Sequence, residues 1–226
     1  MRKGETHDSH SAWHYYDTPI RFTSTQPTVQ PSNAAVALTE SVTRLTQLHK
    51  GTYNGPTFPG ITKDDLQVWW LGWILHLTGD LHQPLHCVSN YGVPGHVGQS
   101  DNGGNGFKLA GGGALHTWWD AALADTVADE GFHISNVDTA SNPSATLSPV
   151  TASLKNTAVK IGKCTELNVT KWIGKEAKLA DTTAYDGLNP GDQPSAPYIK
   201  SAHSLCRQEG VLAGCRLANV LKGVFS

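Results

Sequence analysis

The sequence predicts a mainly α-helical fold built as a single domain. Apolar residues recur at spacings of three and four over several stretches, as one face of a helix requires. Capping residues stand in front of those stretches, and Gly or Pro closes them. No repeat and no shift of composition divides the 226 residues, a length that suits one good-sized domain.

Residues 1–31 read as an extended, loop-rich start, in which the run TSTQPTVQPSN ends at a helix cap, Ser32 or Asn33. Ala35, Leu38, Val42, Leu45 and Leu48 follow at helical spacing, and Gly51 stops the helix. GTYNGPTFPG is a turn cluster. Thr62 then caps a helix whose first turn holds Asp64 and Asp65, where carboxylates favour the helix dipole. That helix runs to about Leu81 and must end before Pro84, whose ring cannot continue it. Residues 88–113 are Gly-rich and read as a long loop with a short strand at GFKLA. Loops of this length in compact domains tend to be functional. ALHTWWDAALADTVA is a helix, and residues 135–149 form a second loop. Helices are predicted at about 149–162, 165–183 and 197–222, the last with a kink at Gly210.

Composition narrows the function. A net charge of −2 supplies no basic field to attract nucleic-acid phosphate. A phosphate substrate would need positive charge from another source, and the 11 His fit that gap, because imidazole is the commonest metal ligand. Cys87, Cys164, Cys206 and Cys215 contain no CxxC pair, which argues against a zinc ribbon. Their even number is compatible with two disulfides and a secreted life. Cys206 and Cys215 can pair if the chain bends at Gly210, whereas a continuous helix holds them too far apart. Asn168-Val169-Thr170 fits the glycosylation pattern. No apolar run reaches the roughly 18 to 20 residues of a membrane span. The start, MRKGETHDSH, lacks the apolar core of a signal peptide.

The stretch WWLGWILHLTGDLHQPLH, Trp69 to His86, carries the chemistry. At the helical step per residue, His76 and Asp80 fall about 40° apart, with Trp69, Gly72 and Trp73 on their side. Leu71 and Ile74 stand opposite, so the helix is apolar all round and is predicted to be buried. An ionised carboxylate there costs several kcal/mol unless it is paired, hydrogen-bonded or metal-bound. At i and i+4 the two side chains converge on one point about 3–4 Å above the helix, a suitable pair of ligands for zinc. His116 and Asp120, in LHTWWDAAL, repeat the unit on a second Trp-rich helix. His14 stands in the aromatic run WHYYD, and His86 leaves the helix past Pro84 on a turn that can face the core. A lone His on an apolar face is usually a core residue, and a lone HxxxD is a helical hydrogen bond. Two such units with His14 and His86, all beside Trp and Gly, point instead to a multi-metal site. His7, His10, His49, His96, His133 and His203 lie in polar or loop settings and read as surface residues.

At these residues the chain resembles the zinc-dependent, single-strand-specific class I nucleases, the nuclease/3′-nucleotidase family. The matching pieces are WHYYDTP, HLTGDLHQPLH, DNGGNGF, LHTWWD and LAGCRLANVL, in the family's order from residue 13 to near the C-terminus. The resemblance implies a helical domain over residues 1–226 with a multi-zinc cleft, an architecture shared with zinc phospholipases C. By motif position His14, His76 and Asp80 would bind the first zinc and carry the catalytic step, with Asp80 bridging to a neighbouring zinc. His86, His116 and Asp120 would hold the remaining one. Tyr15 matches a position where the family sets an aromatic against the base, a contact that favours unpaired strands. Asp17, His82 and Gln83 are expected to orient the ligands, and Asn102 and Asn105 to shape the loop or the cleft. The implied substrates are single-stranded DNA or RNA, cut to 5′-mononucleotides, and free 3′-nucleotides. No stable protein partner is implied.

The chain also departs from the family pattern. Members begin with a Trp whose amino group and carbonyl bind zinc, followed by a His ligand and a WAD motif, and none of these is present. The expectation is therefore an N-terminally shortened member, with a secretion signal lost in the same piece. Such a chain would bind fewer than three zinc ions, with the His86/His116/Asp120 site closest to intact. Two rivals remain open: a zinc phospholipase C, and an inactive zinc-binding homologue.

Overall fold

Side-chain caps start the helices that carry the site. The computed structural model describes residues 7–22, 27–28, 33–95, 98–128, 154 and 161–226. Asn33 accepts from the backbone N–H of Ala35 at 3.1 Å and of Val36 at 3.3 Å, which starts α1 (Ala34–His49). Thr62 and Asp65 form a reciprocal capping box: Thr62 Oγ1 accepts from Asp65 N–H at 3.2 Å and Asp65 Oδ2 accepts from Thr62 N–H at 2.8 Å. This box starts α2 (Lys63–Asp80). Past its end Gln83 caps a 3₁₀ turn, Pro84–Cys87, accepting from Leu85 N–H at 2.5 Å. Helix α3 (Leu115–Ala128), the helical turn α4 (Ile161–Cys164), α5 (Val169–Leu179) and α6 (Ala196–Val224) follow. A π-type turn, Ala180–Ala184, extends α5.

The chain departs from its sequence pattern in several places. Residues 7–14 form a 3₁₀ helix rather than an extended start. The short strands are β1 (Thr18–Ile20) and β2 (Val88–Asn90), paired in parallel with Thr18 opposite Val88. Neither is the predicted strand at GFKLA, where Lys108 and Ala114 make only an isolated bridge. That segment turns too tightly to pair, with Gly111 and Gly112 both at positive φ. Helix α5 begins only after Asn168, whose side chain accepts from Lys171 N–H at 3.3 Å. Helix α6 runs unbroken through Gly210, because the missing Cβ there is used for packing rather than bending: a Cβ would lie 3.2 Å from Leu123 Cδ2. The predicted helix at 149–162 and the loop at 135–149 lie almost wholly outside the described residues.

Two apolar cores stand side by side. In the first, Leu38, Leu45 and Leu48 of α1 meet Leu66, Trp70, Ile74 and Leu77 of α2, with Trp172 and Ile173 of α5 beneath. Each such buried aliphatic side chain contributes roughly 1.5–3 kcal/mol. In the second, Leu115 and Trp119 of α3 meet Leu85, Phe107, Ala180, Ala184 and Tyr185. Helix α2 is not buried all round. Val68 is 71% and Leu75 47% exposed, and Gly72, His76 and Gly79 also face outward. The face that carries His76 is open, and the opposite face is the core. Among the described residues, no helix is long and apolar enough to cross a membrane.

One disulfide, Cys164–Cys215, joins α4 to α6, while Cys87 and Cys206 are free thiols. The unbroken helix α6 is why Cys206 and Cys215 do not pair. Nearby, a buried charge network ties α5 to α6. Lys175 Nζ donates to Glu176 Oε1 at 3.0 Å and also to Glu209 Oε2. Glu176 is fully buried. Burial, and then the neighbouring Glu209 carboxylate, push the Glu176 carboxyl up to about 8 against the opposing pull of Lys175.

Glu176 therefore keeps its proton in the fold at pH values where the unfolded chain, with an ordinary value of 4.5, releases it. Its contribution to stability is complete below that ordinary value and is lost as the pH rises through the folded one. Besides burial, Glu209 and Lys175 set this window, and the Glu176 carboxyl in turn faces the Cys87 and Cys206 thiols and Arg216. Thermal melting of Glu176→Gln across roughly pH 4 to 9 should show a flatter loss of stability than the parent chain. Parallel curves would remove Glu176 as the cause.

Candidate metal centre

The seam between the two cores holds two groups of side chains that converge. His14, His76 and Asp80 form one, and His86, His116 and Asp120 form the other, with the ligand atoms in each group within 4.8 Å of one another. These are the six residues expected from the sequence. Three of them stand at or beyond the ends of elements, while His76 and Asp120 lie within α2 and α3. His14 closes the first 3₁₀ helix, Asp80 closes α2, and His86 sits in the turn after Pro84.

In the first group, His14 Nδ1 lies 3.2 Å and His76 Nε2 3.0 Å from Asp80 Oδ2. The two ring nitrogens are themselves 2.7 Å apart, a spacing that needs a shared proton or a cation between them. Asp80 also faces the second group, with Oδ1 3.8 Å from His86 Nδ1. Burial pushes the Asp80 carboxyl up, but hydrogen bonds from His14 and His76 and the nearby His86 outweigh it, holding it at about 2. In the second group, His86 Nε2 is 3.2 Å from Asp120 Oδ1 and His116 Nε2 is 3.5 Å from Asp120 Oδ2. The two rings stack with centroids 4.7 Å apart.

Backbone carbonyls fix the tautomers. His86 Nδ1–H donates to the His14 carbonyl at 2.9 Å, and His116 Nδ1–H donates to the Gly103 carbonyl at 2.7 Å. Each bond occupies Nδ1 and leaves Nε2 beside Asp120, where it can take either a proton shared with the carboxylate or a metal ion. Tyr16 N–H returns a bond to the His86 carbonyl at 2.7 Å, so the segments of His14 and His86 are locked both ways. Asn102, Gly103 and Gly104 are all at positive φ. A Cβ on Gly103 would overlap the Leu85 carbonyl oxygen, so glycine is required for its own carbonyl to reach His116. Asp101 anchors this loop from within, accepting from Asn90 N–H at 3.0 Å and from the Tyr185 hydroxyl at 2.6 Å. Sequence reasoning missed Asp101 and Tyr185, because their pairing spans 84 residues.

Of the residues expected to orient ligands, Gln83 does so, donating Nε2–H to Asp120 Oδ1 at 2.8 Å. His82 does not. Its Nδ1–H donates to the Thr78 carbonyl at 2.7 Å and its Nε2 accepts from Arg216 at 2.8 Å. Burial drives its pKa down to about 3, so it is a neutral link between α2 and α6. Asp17 accepts from the Ser89 hydroxyl at 2.7 Å instead of touching a ligand. His10 and His203 are not plain surface residues. His10 packs among Trp13, Trp69 and Trp73, and His203 stacks on Trp118. His49 is exposed against Phe225, and the side chain of His7 together with His96 and His133 lie outside the described residues.

Five of the six residues, all but His116, line a cleft of about 460 Å³, which also reaches Trp119, Leu123, Leu205, Glu209, Gly210 and Ala213. A side pocket of about 210 Å³ adjoins His14, His86 and His116 and is lined by Tyr15, Asp17, Asn102 and Asn105. Nitrogen and carboxylate donors at this spacing suit a borderline cation such as zinc, so the side chains fit the metal that the motifs imply.

A helical frame brings together two His/His/Asp groups that could each hold a metal ion. The chain belongs to the S1/P1 nuclease family, whose family model matches residues 1–226. Comparison with curated proteins gave no match. Membership makes it one of a family of phosphoester hydrolases with nucleic acid substrates.

Gly103→Ala should displace the carbonyl that holds His116 and lower zinc affinity by about 10- to 100-fold. Competition against a chelating dye measures this. An unchanged affinity would detach the loop from the metal centre.

Proposed function

We propose that the chain is a zinc-dependent phosphodiesterase that hydrolyses single-stranded DNA and RNA to 5′-mononucleotides and dephosphorylates 3′-nucleotides. The observation that carries this reading is the position of Asp80, whose two oxygens face the two ligand groups in one cleft. His14, His76 and Asp80 would hold one zinc ion, and His86, His116 and Asp120 another. Bound zinc supplies Lewis acidity, activating water and neutralising charge on phosphoryl oxygens.

The chain's own residues do the rest. The His14 and Gly103 carbonyls keep the imidazoles in the binding tautomer. Gln83 holds Asp120 in place. Tyr15 offers an aromatic face in the side pocket, while Asp17, Asn102 and Asn105 offer polar atoms to the edge of a base. A base can enter that pocket only when it is unstacked, which supports a preference for single strands. The disulfide fits a secreted or cell-surface protein.

Zinc content and hydrolysis of single- against double-stranded DNA, measured on this chain, test the reading. Chelation should abolish hydrolysis and lower the melting temperature together, because metal-binding energy is also folding energy. Activity that survives full chelation would remove zinc from the reaction. Tyr15→Ala should weaken binding of single-stranded oligonucleotides by roughly 5- to 100-fold, the range of one lost base stack, read by fluorescence anisotropy. No change would place the base elsewhere.

A further inference from the structure

The two ligand groups are held by different means. In the second, a backbone carbonyl accepts from Nδ1–H of each imidazole. In the first, His14 turns Nδ1 and His76 turns Nε2 toward Asp80. Their far nitrogens, His14 Nε2 and His76 Nδ1, have no hydrogen-bond partner among the described residues. The first group is also the more open: the His14 and His76 side chains are 34% and 51% exposed, against 14% and 17% for His86 and His116. One side chain touches both open rings. The Trp73 indole lies 5.4 Å from the His14 ring, centre to centre, tilted by 59°, and 6.0 Å from the His76 ring, edge-on at 83°. It stands three residues before His76 on α2, so the two share a face. Trp73 is itself wedged, with Trp13 at 4.9 Å, His10 at 5.5 Å and Trp69 at 5.9 Å. Trp13, Trp69 and Trp73 all pack on the first core.

We infer that Trp73 is a positioning residue for the first metal group, a role that rests on the metal reading given above. It sets the ring planes of His14 and His76 by contact, where the second group uses hydrogen bonds. An imidazole binds a cation along a lone pair that lies in the ring plane. A ring that turns about its Cβ–Cγ bond carries that lone pair off the ion. At His86 and His116 a hydrogen bond to the far nitrogen stops the turn. At His14 and His76 the indole stops it, because aromatic pairs at this spacing prefer tilted and edge-on angles. One wedge serves both rings, so its loss loosens two donors together. The backbone around His14 does not depend on the wedge. It is held by the His86 ring bonded to the His14 carbonyl and by Tyr16 N–H bonded to the His86 carbonyl. Removing the indole therefore acts on ring orientation in the first group and leaves the second group as it is.

The test is titration of the full chain with cobalt(II), which accepts the nitrogen and carboxylate donors that zinc does and reports binding by its visible absorption. The parent chain should take up one ion that His76→Ala removes and another that it does not. Trp73→Leu fills the space without a ring. It should weaken the His76-dependent ion by about tenfold, the scale of a lost contact to a ligand imidazole, and leave the other ion unchanged. Trp73→Phe, which keeps a ring at the same place, should recover most of that affinity. Thermal melting of the metal-free chains checks that each variant folds, and Trp73→Met replaces the Leu variant if that one does not. An equal loss at both ions, no loss at either, or equal behaviour of the Leu and Phe variants would overturn the positioning role. A parent chain with no ion that His76→Ala removes would overturn the metal reading of this group itself, an outcome distinct from a first site that binds but ignores Trp73.

Discussion

A carboxylate held out of water has to be compensated, and the cleft is organised around the compensation of Asp80. Its side chain is 13% exposed, and an isolated ionised group so placed would cost several kcal/mol. Three imidazoles face it, from three different segments. His76 arrives by helical geometry alone, one turn earlier on α2. His14 and His86 arrive by tertiary structure, and the backbone bonds that lock their two segments together keep them there. The strand pair β1–β2 follows both segments directly and continues the same lock. The ends of α2 and of the first 3₁₀ helix are therefore placed by the demands of one charge as much as by the cores on either side.

How much of this was legible in sequence follows from the range of each interaction. The HxxxD units were legible because a separation of four on a helix forces two side chains onto one face, whatever the surroundings. His86 was legible because Pro84 has to end the helix. The capping of α1 and α2 was legible for the same reason, since a cap and its N–H partner lie within one turn. The open face of α2 was not, because composition describes a helix without saying which neighbours cover it. Val68 and Leu75 are as apolar as Ile74, but only Ile74 meets α1 and α5. The parallel strands were hidden because three residues are too few to show alternation. The Cys164–Cys215 bridge joins positions 51 residues apart, beyond the reach of spacing arguments.

His82 shows where local reasoning fails. It stands two residues beyond a ligand and four before another, so sequence placed it with them. Its partner, Arg216, is 134 residues away. A cation donating into Nε2 and a carbonyl accepting from Nδ1–H use both ring nitrogens, leaving no lone pair for a metal. Arg216 also lies over the Trp172 ring, 4.9 Å from its centre, and its Nε–H donates to the Lys163 carbonyl next to the disulfide. The residue that looked like part of the metal centre is instead a joint between the helix that carries the centre and the disulfide-pinned wall of the cleft.

The sign of the charge in the cleft links metal to substrate. Asp80 and Asp120 point into the same space that a phosphate has to enter, and the chain as a whole is weakly acidic. Two carboxylates repel a phosphate unless a cation intervenes, and among the described residues no Lys or Arg borders the cleft or the side pocket to serve as one. Cations held by the two His/His/Asp groups change the local charge from repulsive to attractive. By linkage, any phosphate that binds there strengthens cation binding by the same factor. Lys175 supports this economy of charge from behind the wall: it neutralises Glu209, so the negative charge facing the substrate is confined to the two carboxylates that a metal can cover.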